Sequence, residues 1–250
     1  RAGAAHCPVG GGKGGAVMHR RGTFYAVGVG PGDPELLTRK AVVALEACPV
    51  IAAPRVSSGE MLALRIASGA VRLEGKKIIP LDFGMSKDRS VRAAGYCAAA
   101  DVIGEPLEAG LDVAMVNLGD VSIYATAYYV LDELRRRGFE TRMIPGVPSF
   151  CAVAAALGRS LTEPDSPLHI IPAGAADLDE ALSLPGTKVL MKSGRSMPAT
   201  AAALERCGLA EESAMAADCG LPTQQLFPSM KDLPEKISYF ATVIVPPKRS

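Results

Sequence analysis

The fold of this chain is decided by a ten-residue stretch, Gly28-Val29-Gly30-Pro31-Gly32-Asp33-Pro34-Glu35-Leu36-Leu37. It follows an apolar run at residues 24–29 that reads as a buried strand, and apolar residues at helical spacing come after it. Its glycines let the backbone turn sharply and approach a ligand with no Cβ in the way. Asp33 is a good N-cap, and Pro34 suits the first position of a helix. The stretch therefore predicts a strand, a glycine-rich turn and a helix that together hold a small ligand.

This turn differs from the fingerprint of dinucleotide-binding proteins. That fingerprint, G-x-G-x-x-G, requires a third glycine where this chain has Asp33. It is also accompanied by an acidic residue near the end of the second strand, which this chain lacks. The missing glycine and the missing acidic residue therefore weigh against a nucleotide-binding oxidoreductase.

The composition favours an α/β protein without a nucleic-acid or membrane partner. The 250 residues are 48% hydrophobic but only 5% aromatic, which suits closely packed α/β layers. The net charge is +1, no basic block is present, and no apolar stretch approaches the roughly 20 residues that span a bilayer. The six cysteines are scattered without a C-x-x-C pair, and residues 1–22 lack the apolar core of a secretory signal. These features predict a cytoplasmic protein.

Strand and helix patterns alternate along the chain, which is typical of parallel sheets joined by crossover helices. The polar, proline-bearing stretch 160–167 reads as a linker. We predict a flexible extension over residues 1–21, an N-terminal α/β domain over 22–159 and a C-terminal α/β domain over 160–250. The predicted strands lie near 23–29, 49–53, 76–80, 112–118, 140–144, 168–172, 187–192, 212–217 and 239–246. The predicted helices lie near 34–47, 58–68, 87–109, 124–137, 148–157, 177–183 and 197–207.

The N-terminal extension carries no recognisable site. Its glycine run at residues 10–14 contains a lysine but lacks the Ser or Thr that completes a phosphate loop. His6, Cys7 and His19 have spacings that match no usual metal site. We therefore predict no metal.

Two more turns join an apolar strand to a helix. Gly119-Asp120 ends the strand near 112–118, at the kind of strand end where open α/β sheets bind ligands. From spacing alone, Asp120 is equally well explained as the cap of the next helix. The second turn spans residues 145–149 and contains Gly146 and Ser149.

Taken together, these pieces resemble the tetrapyrrole methylase family, whose members use S-adenosylmethionine. The resemblance runs from about residue 22 to about residue 245 and is carried by five motifs in order. They are the opening stretch 28–37, Gly119-Asp120-Val121-Ser122-Ile123-Tyr124, Ile144-Pro145-Gly146-Val147, Val189-Leu190-Met191-Lys192, and Tyr239-Phe240 with Val243-Ile244-Val245. The resemblance implies the class III S-adenosylmethionine-dependent methyltransferase fold: two α/β domains with mostly parallel sheets, the methyl donor in the cleft between them, and a homodimer.

The resemblance also implies a reaction. It is strongest to the members that methylate C-20 of precorrin-2 or cobalt-precorrin-2 in cobalamin biosynthesis. Members that act on uroporphyrinogen have an acidic residue where this chain has Pro54, which argues against methylation at C-2 and C-7. Two alternatives stay open: another tetrapyrrole methylase of the corrin pathway, and a non-catalytic tetrapyrrole-binding protein.

The donor-binding residues follow from the resemblance, motif by motif. Pro148 stands where the family usually has Thr, so one hydroxyl and one N–H are missing there, and Met191 and Gly220 match more loosely. The expected S-adenosylmethionine contacts are Gly30, Pro31, Gly119, Asp120, Ile123, Tyr124, Ser149, Met191 and Gly220.

A tetrapyrrole that bears many carboxylates requires cations around an apolar surface. The residues predicted to contact it are Arg55, Lys87, Arg89 and Lys192, with Arg92 and Arg195 as further cations near strand ends and loops. Lys192 stands out because it interrupts an apolar strand pattern. No catalytic side chain is predicted, because methyl transfer from a sulfonium depends on alignment more than on acid–base chemistry.

Overall fold

A computed structural model describes residues 20–56, 58–84, 88–174, 177–231, 233–234 and 237–247, without the side chain of Arg195. The predictions for the glycine run 10–14 and for His6, Cys7 and His19 lie outside these residues. Within them, the chain forms two compact units. The first comprises the described residues up to Gly30 together with Pro34–Val147, and the second comprises Pro31–Asp33 and the residues from Pro148 onward.

The first unit contains a five-stranded parallel sheet. Its strands are β1 (Thr23–Gly28), β2 (Val50–Arg55), β3 (Lys77–Asp82), β4 (Val113–Asn117) and β5 (Glu140–Ile144). They are ordered β3-β2-β4-β1-β5, and every pairing is parallel. The carboxyl ends of β4, β1 and β5 are therefore neighbours at one edge of the sheet.

The crossover helices of this unit are α1 (Arg39–Ala47), α2 (Leu62–Ser68), α3 (Arg89–Glu108) and α4 (Thr126–Arg136). One face of the sheet packs on α3 and α4, through a core that includes Phe24, Met115, Ile103 and Leu131. These side chains are almost fully withdrawn from solvent, so hydrophobic burial holds both helices on the sheet.

The second unit contains α5 (Ser149–Ala156), β6 (Leu168–Pro172), α6 (Leu178–Ser183), β7 (Thr187–Met191), α7 (Met197–Arg206), β8 (Ala214–Ala217), β9 (Gln225–Phe227) and β10 (Ala241–Val245). Its sheet is ordered β6-β7-β10-β8-β9. Only the β6–β7 pairing is parallel among these described strands, because β10 runs antiparallel to both β7 and β8, and β9 runs antiparallel to β8. The predicted fold class, α/β with mostly parallel sheets, is confirmed, and the antiparallel pairings between the named strands lie in this unit.

The division between the units falls after Val147, whereas the sequence placed it near residue 160. The reason is α5, which packs on β8 and β10 of the second sheet. The polar stretch 160–167 is thus a surface connection between α5 and β6, inside the second unit.

The first helix begins later than predicted. Pro34–Leu36 forms a single 3-10 turn, and Thr38 caps α1 by accepting a hydrogen bond on Oγ1 from the backbone N of Ala41, at 3.1 Å. The prediction that Asp33 caps this helix was therefore wrong. Thr38 Oγ1 also donates to the carbonyl oxygen of Pro145, at 3.2 Å, so one hydroxyl serves the helix end and the turn after β5.

Replacing Thr38 with Ala is expected to lower the free energy of unfolding by about 0.5–2 kcal/mol, because the cap of α1 is lost. Urea unfolding of the wild type and the variant measures the difference. Thr38→Ser is the matched control, since it keeps the hydroxyl and should stay within about 0.5 kcal/mol of the wild type. Equal stability of Thr38→Ala and the wild type would show that the cap contributes nothing.

None of the helices in the described residues is long and apolar enough to cross a bilayer. Four cysteines, Cys48, Cys151, Cys207 and Cys219, are free thiols. Burial raises the pKa of Cys48 to about 12, so this thiol is inert at neutral pH.

Candidate functional site

Three turns meet at the carboxyl edge of the first sheet, one after each of the neighbouring strands β4, β1 and β5. Gly30 and Gly119 form an isolated antiparallel bridge: Gly119 N donates to Gly30 O at 2.7 Å, and Gly30 N donates to Gly119 O at 3.2 Å. Both glycines are buried, with φ of +75° and +72°. Side chains other than glycine are disfavoured in this left-handed region, which explains the residue type at both positions.

The third turn packs directly on the backbone of the other two. A Cβ at Gly146 would lie 2.3 Å from the carbonyl oxygen of Gly119, and a Cβ at Gly28 would lie 2.6 Å from the backbone N of Gly146. These distances are far below van der Waals contact, so only glycine is accommodated. The turns after β1, β4 and β5 thus form one close-packed backbone cluster, which we call the glycine cluster (Gly28, Gly30, Gly119 and Gly146).

The carboxylate of Asp120 links two turns of this cluster through hydrogen bonds. Its Oδ1 accepts hydrogen bonds from Ser122 N at 2.8 Å and Ser122 Oγ at 2.5 Å, and its Oδ2 accepts one from Gly146 N at 2.8 Å. The residue is only 8% exposed. Burial alone would raise its pKa, but the hydrogen bonds from Ser122 and Gly146 outweigh it and hold the pKa below the usual value. Asp120 is therefore an ionised link between the turns after β4 and β5.

The structure gives Asp120 a role close to that of a cap, and its contact with a ligand stays a prediction. Its side chain organises the turn that leads to α4, as a capping residue would, although the N-cap position itself is occupied by Ala125. The hydrogen bond from Gly146 N to Asp120 joins residues 26 positions apart in the chain, and no local sequence pattern predicts it.

Ile123 and Tyr124 follow this turn and precede α4. Ile123 is half-buried, whereas Tyr124 is 42% exposed and has φ of +50°. A non-glycine residue in the left-handed region is uncommon, and such residues concentrate where a site over-determines the backbone. The direct contact of either residue with a donor stays a prediction.

The second unit brings other predicted residues together at one edge of its sheet. Because β7 and β8 both run antiparallel to β10, their carboxyl ends lie at the same edge, where Met191 ends β7 and Gly220 follows β8. Gly220 has φ of +82° and donates to Gln224 Oε1 at 2.8 Å. A Cβ at Gly32 would lie 2.5 Å from the carbonyl oxygen of Cys219, so the segment Pro31–Asp33 packs against this turn.

Ser149 is the first residue of α5, and Pro148 occupies the N-cap position without a side-chain hydrogen bond. Ser149 and Met191 are half-buried, and Pro31 is buried. Their part in donor binding, like that of Gly220, stays a prediction.

The cations predicted for the substrate are dispersed. Arg55 is engaged by Asp82 on the neighbouring strand, through Nε–Oδ1 at 2.9 Å and Nη2–Oδ2 at 2.5 Å. This hydrogen bond holds the pKa of Asp82 below its usual value. Arg89 is the exposed first residue of α3, and Lys87 lies outside the described residues.

The sequence analysis placed Lys192 inside a strand, which was wrong, and it overlooked the nearby Lys188. Lys192 does not interrupt β7 but follows it, exposed and with φ of +57°. The lysine inside the strand is Lys188, which is 1% exposed and whose pKa is lowered by burial. The sequence signal for it was a cation between Thr187 and the apolar residues that follow.

No group of three or more His, Cys, Asp or Glu side chains comes together as a metal site in the part of the chain that the structure describes. The described residues at this edge offer backbone turns, the ionised carboxylate of Asp120 and the half-buried side chain of Ile123. Such a set is suited to orienting a ligand rather than to nucleophilic chemistry.

Comparison with known proteins identifies the family of this chain. The model of the "Tetrapyrrole (Corrin/Porphyrin) Methylases" matches residues 23–234. The cobalt-precorrin-2 C(20)-methyltransferase of Salmonella typhimurium is 29% identical over 229 residues, which are 90% of this chain and 96% of that protein. The chain is also 29% identical over 238 residues, 92% of its length, to the cobalamin biosynthesis protein CobIJ of Mycobacterium tuberculosis, but spans only 47% of that relative.

A solved structure shows the same fold. Uroporphyrin-III C-methyltransferase from Thermus thermophilus, in complex with S-adenosylhomocysteine, superposes with a TM-score of 0.64 at 20% identity, over 90% of this chain and 92% of that one. The two α/β units thus have the class III methyltransferase fold. The chain belongs to the tetrapyrrole methylase family.

Proposed function

We propose that this protein is an S-adenosylmethionine-dependent C-methyltransferase that methylates C-20 of precorrin-2, free or cobalt-bound, in cobalamin biosynthesis. The observation that carries the proposal is the match to the Salmonella C-20 methyltransferase along 96% of that protein's length. Because the chain spans about half of CobIJ, a second activity encoded in such a longer relative is not part of the proposal.

Pro54 supports the choice of reaction. It lies in β2, paired in register with Leu81, at the position where uroporphyrinogen-type members carry an acid. The neighbouring Arg55 and Asp82 are bound to each other, so that Asp82 is not an unengaged base. The family reaction at C-2 and C-7 would lack its base here.

The glycine cluster supports donor binding. When bound, S-adenosylmethionine supplies a methyl group on a sulfonium whose leaving sulfur retains the electron pair of the broken bond. The positive φ of Gly30 and Gly119 lets two turns approach each other closely at the edge of the sheet, with no Cβ between their backbones. Ile123 offers an apolar surface, and the ionised Asp120 places negative charge within the turn, which favours a cationic ligand.

The chain's contribution to rate is then alignment. Methyl transfer requires the attacking carbon at roughly 3–3.5 Å from the methyl group and in line with sulfur. A backbone cluster fastened by Asp120 resists displacement better than a mobile loop, which suits that demand.

Turnover with a methyl-labelled donor tests the proposal. We expect label in precorrin-2 or its cobalt form, and the comparison of the two substrates decides which one is used. Calorimetry with S-adenosylhomocysteine and with NAD separates this reading from an oxidoreductase, because only the former should bind. Donor binding without label transfer to any tetrapyrrole would instead favour a non-catalytic tetrapyrrole-binding protein.

We also infer a cytoplasmic homodimer. The basis for the dimer is the resemblance to dimeric family members, and the basis for the compartment is the scattered arrangement of the cysteines. Light scattering on the purified chain measures the mass directly, and a monomer at micromolar concentration would contradict the inference.

A further inference from the structure

The aromatic residues of this chain are unevenly distributed. The chain contains six Phe, six Tyr and no Trp. Four of these twelve rings form a continuous series of contacts in the first unit, which we call the aromatic strip (Phe83, Tyr96, Tyr128 and Tyr129). Tyr96 stacks on Tyr129 with centroids 4.9 Å apart and planes 6° from parallel. Phe83 lies 6.1 Å from Tyr96, and Tyr128 meets Tyr129 edge-on at 5.9 Å.

The strip lies near the edge of the sheet that carries the glycine cluster. Tyr96 is in the second turn of α3 and Tyr129 is in the first turn of α4, and these two helices follow β3 and β4 in the chain. Phe83 and Tyr96 rest on the rim of the hydrophobic core, whereas Tyr128 and Tyr129 are 42% and 52% exposed. The core therefore supports the strip from below and leaves much of its outer surface open to a ligand.

Two arginines continue the strip along α3. Arg89, Arg92 and Tyr96 are spaced i, i+3 and i+7, so they share one helix face. Both arginines are exposed, and neither forms an ion pair with another described residue. The acid that caps α3, Asp88, already accepts hydrogen bonds from Ser90 N and Ser90 Oγ, each at 2.7 Å. The amino end of a 20-residue helix adds further positive potential.

We infer that the aromatic strip, together with Arg89 and Arg92, binds the polycarboxylate tetrapyrrole, with the macrocycle against the rings and its side-chain carboxylates on the guanidinium groups. The inference rests on the proposed function for the identity of the ligand. Flat, exposed rings offer stacking area, and tyrosine hydroxyls donate to carboxylates. Burial raises the pKa of Tyr96, which keeps its hydroxyl protonated.

The charges favour this ligand over a second copy of the chain. A two-fold interface centred on the strip would bring each patch against itself. Four arginines, Arg89 and Arg92 from each copy, would then be gathered in one interface, which like-charge repulsion disfavours. A ligand that carries several carboxylates complements the patch instead.

Tyrosine fluorescence provides a direct measurement. The chain has no Trp, and three of its six Tyr lie in the strip, so a bound porphyrin should quench much of the intrinsic emission. The probe is uroporphyrin III, a stable tetrapyrrole polycarboxylate, titrated into the full chain. Tyr129→Leu and Arg92→Gln are each expected to raise its Kd at least about fivefold, the size of one stacking or charge-assisted contact. S-adenosylhomocysteine affinity should stay within about twofold, because neither residue lies in the donor turns.

Matched variants isolate the cause. Tyr129→Phe keeps the stacking ring and should lose clearly less uroporphyrin III affinity than Tyr129→Leu. Arg135→Gln removes a cation at the other end of α4 and should bind uroporphyrin III like the wild type. Unchanged uroporphyrin III affinity in Tyr129→Leu and Arg92→Gln overturns the inference, and so does a dimer that becomes a monomer in Tyr129→Leu. Failure of the proposed function is distinct: it appears as a wild type that transfers no methyl label to precorrin-2, whatever the porphyrin titration shows.

Discussion

A Gly119→Val variant is expected to bind S-adenosylhomocysteine at least about tenfold more weakly than the wild type, equivalent to about 1.4 kcal/mol. Gly119 has φ of +72°, which a β-branched residue adopts only under strain. Its N–H and carbonyl both bond to Gly30, and its carbonyl oxygen would lie 2.3 Å from a Cβ on Gly146. Any shift that relieves the strain at Gly119 therefore moves the turns after β1 and β5 as well. Isothermal calorimetry measures the loss.

The control for this substitution is Gly75→Val. Gly75 also has a positive φ, +78°, but a Cβ there would meet nothing within 4 Å. It carries the same backbone strain without displacing a turn at the edge of the sheet. S-adenosylhomocysteine affinity should be unchanged in Gly75→Val. Circular dichroism is the check that both variants fold. If the Gly119→Val protein folds and binds S-adenosylhomocysteine with wild-type affinity, the glycine cluster is not part of the donor site.

Most of the fold could be predicted because its signals are local. An apolar run bounded by glycine announces β1 and β4, and the cationic last turn of α4 followed by Gly138 announces a helix end. The order of strands and helices follows from such patterns. Helix starts are harder, because Asp33 and Thr38 are both acceptable caps, and only the structure shows that Thr38 accepts the hydrogen bond from Ala41 N.

The second unit was harder to predict for two physical reasons. The strand β9 has three residues, two of them exposed, and so lacks a hydrophobic pattern. The antiparallel direction of β10 depends on how the long connection after β9 returns to the sheet, which periodicity does not encode. The α5 helix reads equally well as the end of one domain or the start of the next, until its packing on β8 and β10 is known.

The candidate site was predictable as a set of turns but not as a set of contacts. Gly119 and Asp120 stand out in the sequence because a glycine and a carboxylate follow an apolar strand. The bond from Gly146 N to Asp120 requires two strands separated by β1 to end at the same level. The aromatic strip is similarly invisible, since Phe83, Tyr96 and Tyr129 are far apart in the chain and meet only when α3 packs on α4.

An Asp120→Asn variant is expected to slow turnover by about 10²-fold, and by no more than about 10³-fold, since it displaces a turn without removing a base. The amide keeps one acceptor oxygen, but its NH₂ group must face either Ser122 N–H or Gly146 N–H, both of which are donors. One of those N–H groups is left without its acceptor. The free energy of unfolding should fall by about 1–3 kcal/mol at neutral pH. Steady-state kinetics and urea unfolding measure the two effects.

The pH dependence identifies the carboxylate as the cause. The pKa of Asp120 is lower in the folded chain than the value near 3.9 of an unfolded Asp. Its contribution to stability is therefore complete above about pH 4 and is lost as the pH falls through the folded pKa. The stability difference between wild type and Asp120→Asn should shrink on acidification below about pH 4. The matched control, Asp101→Asn, removes an exposed partner of Arg137 and should cost no more than about 1 kcal/mol.

Two results would contradict this account of Asp120. A stability difference that stays constant from pH 7 to pH 3 would mean that the carboxylate does not titrate as the link between the turns. Complete loss of methyl transfer in Asp120→Asn, with donor and tetrapyrrole still bound at wild-type affinity, would show that Asp120 takes a proton in the reaction. Alignment by the fastened backbone would then be insufficient, because a displaced turn weakens binding and slows chemistry together, whereas a missing base abolishes chemistry alone.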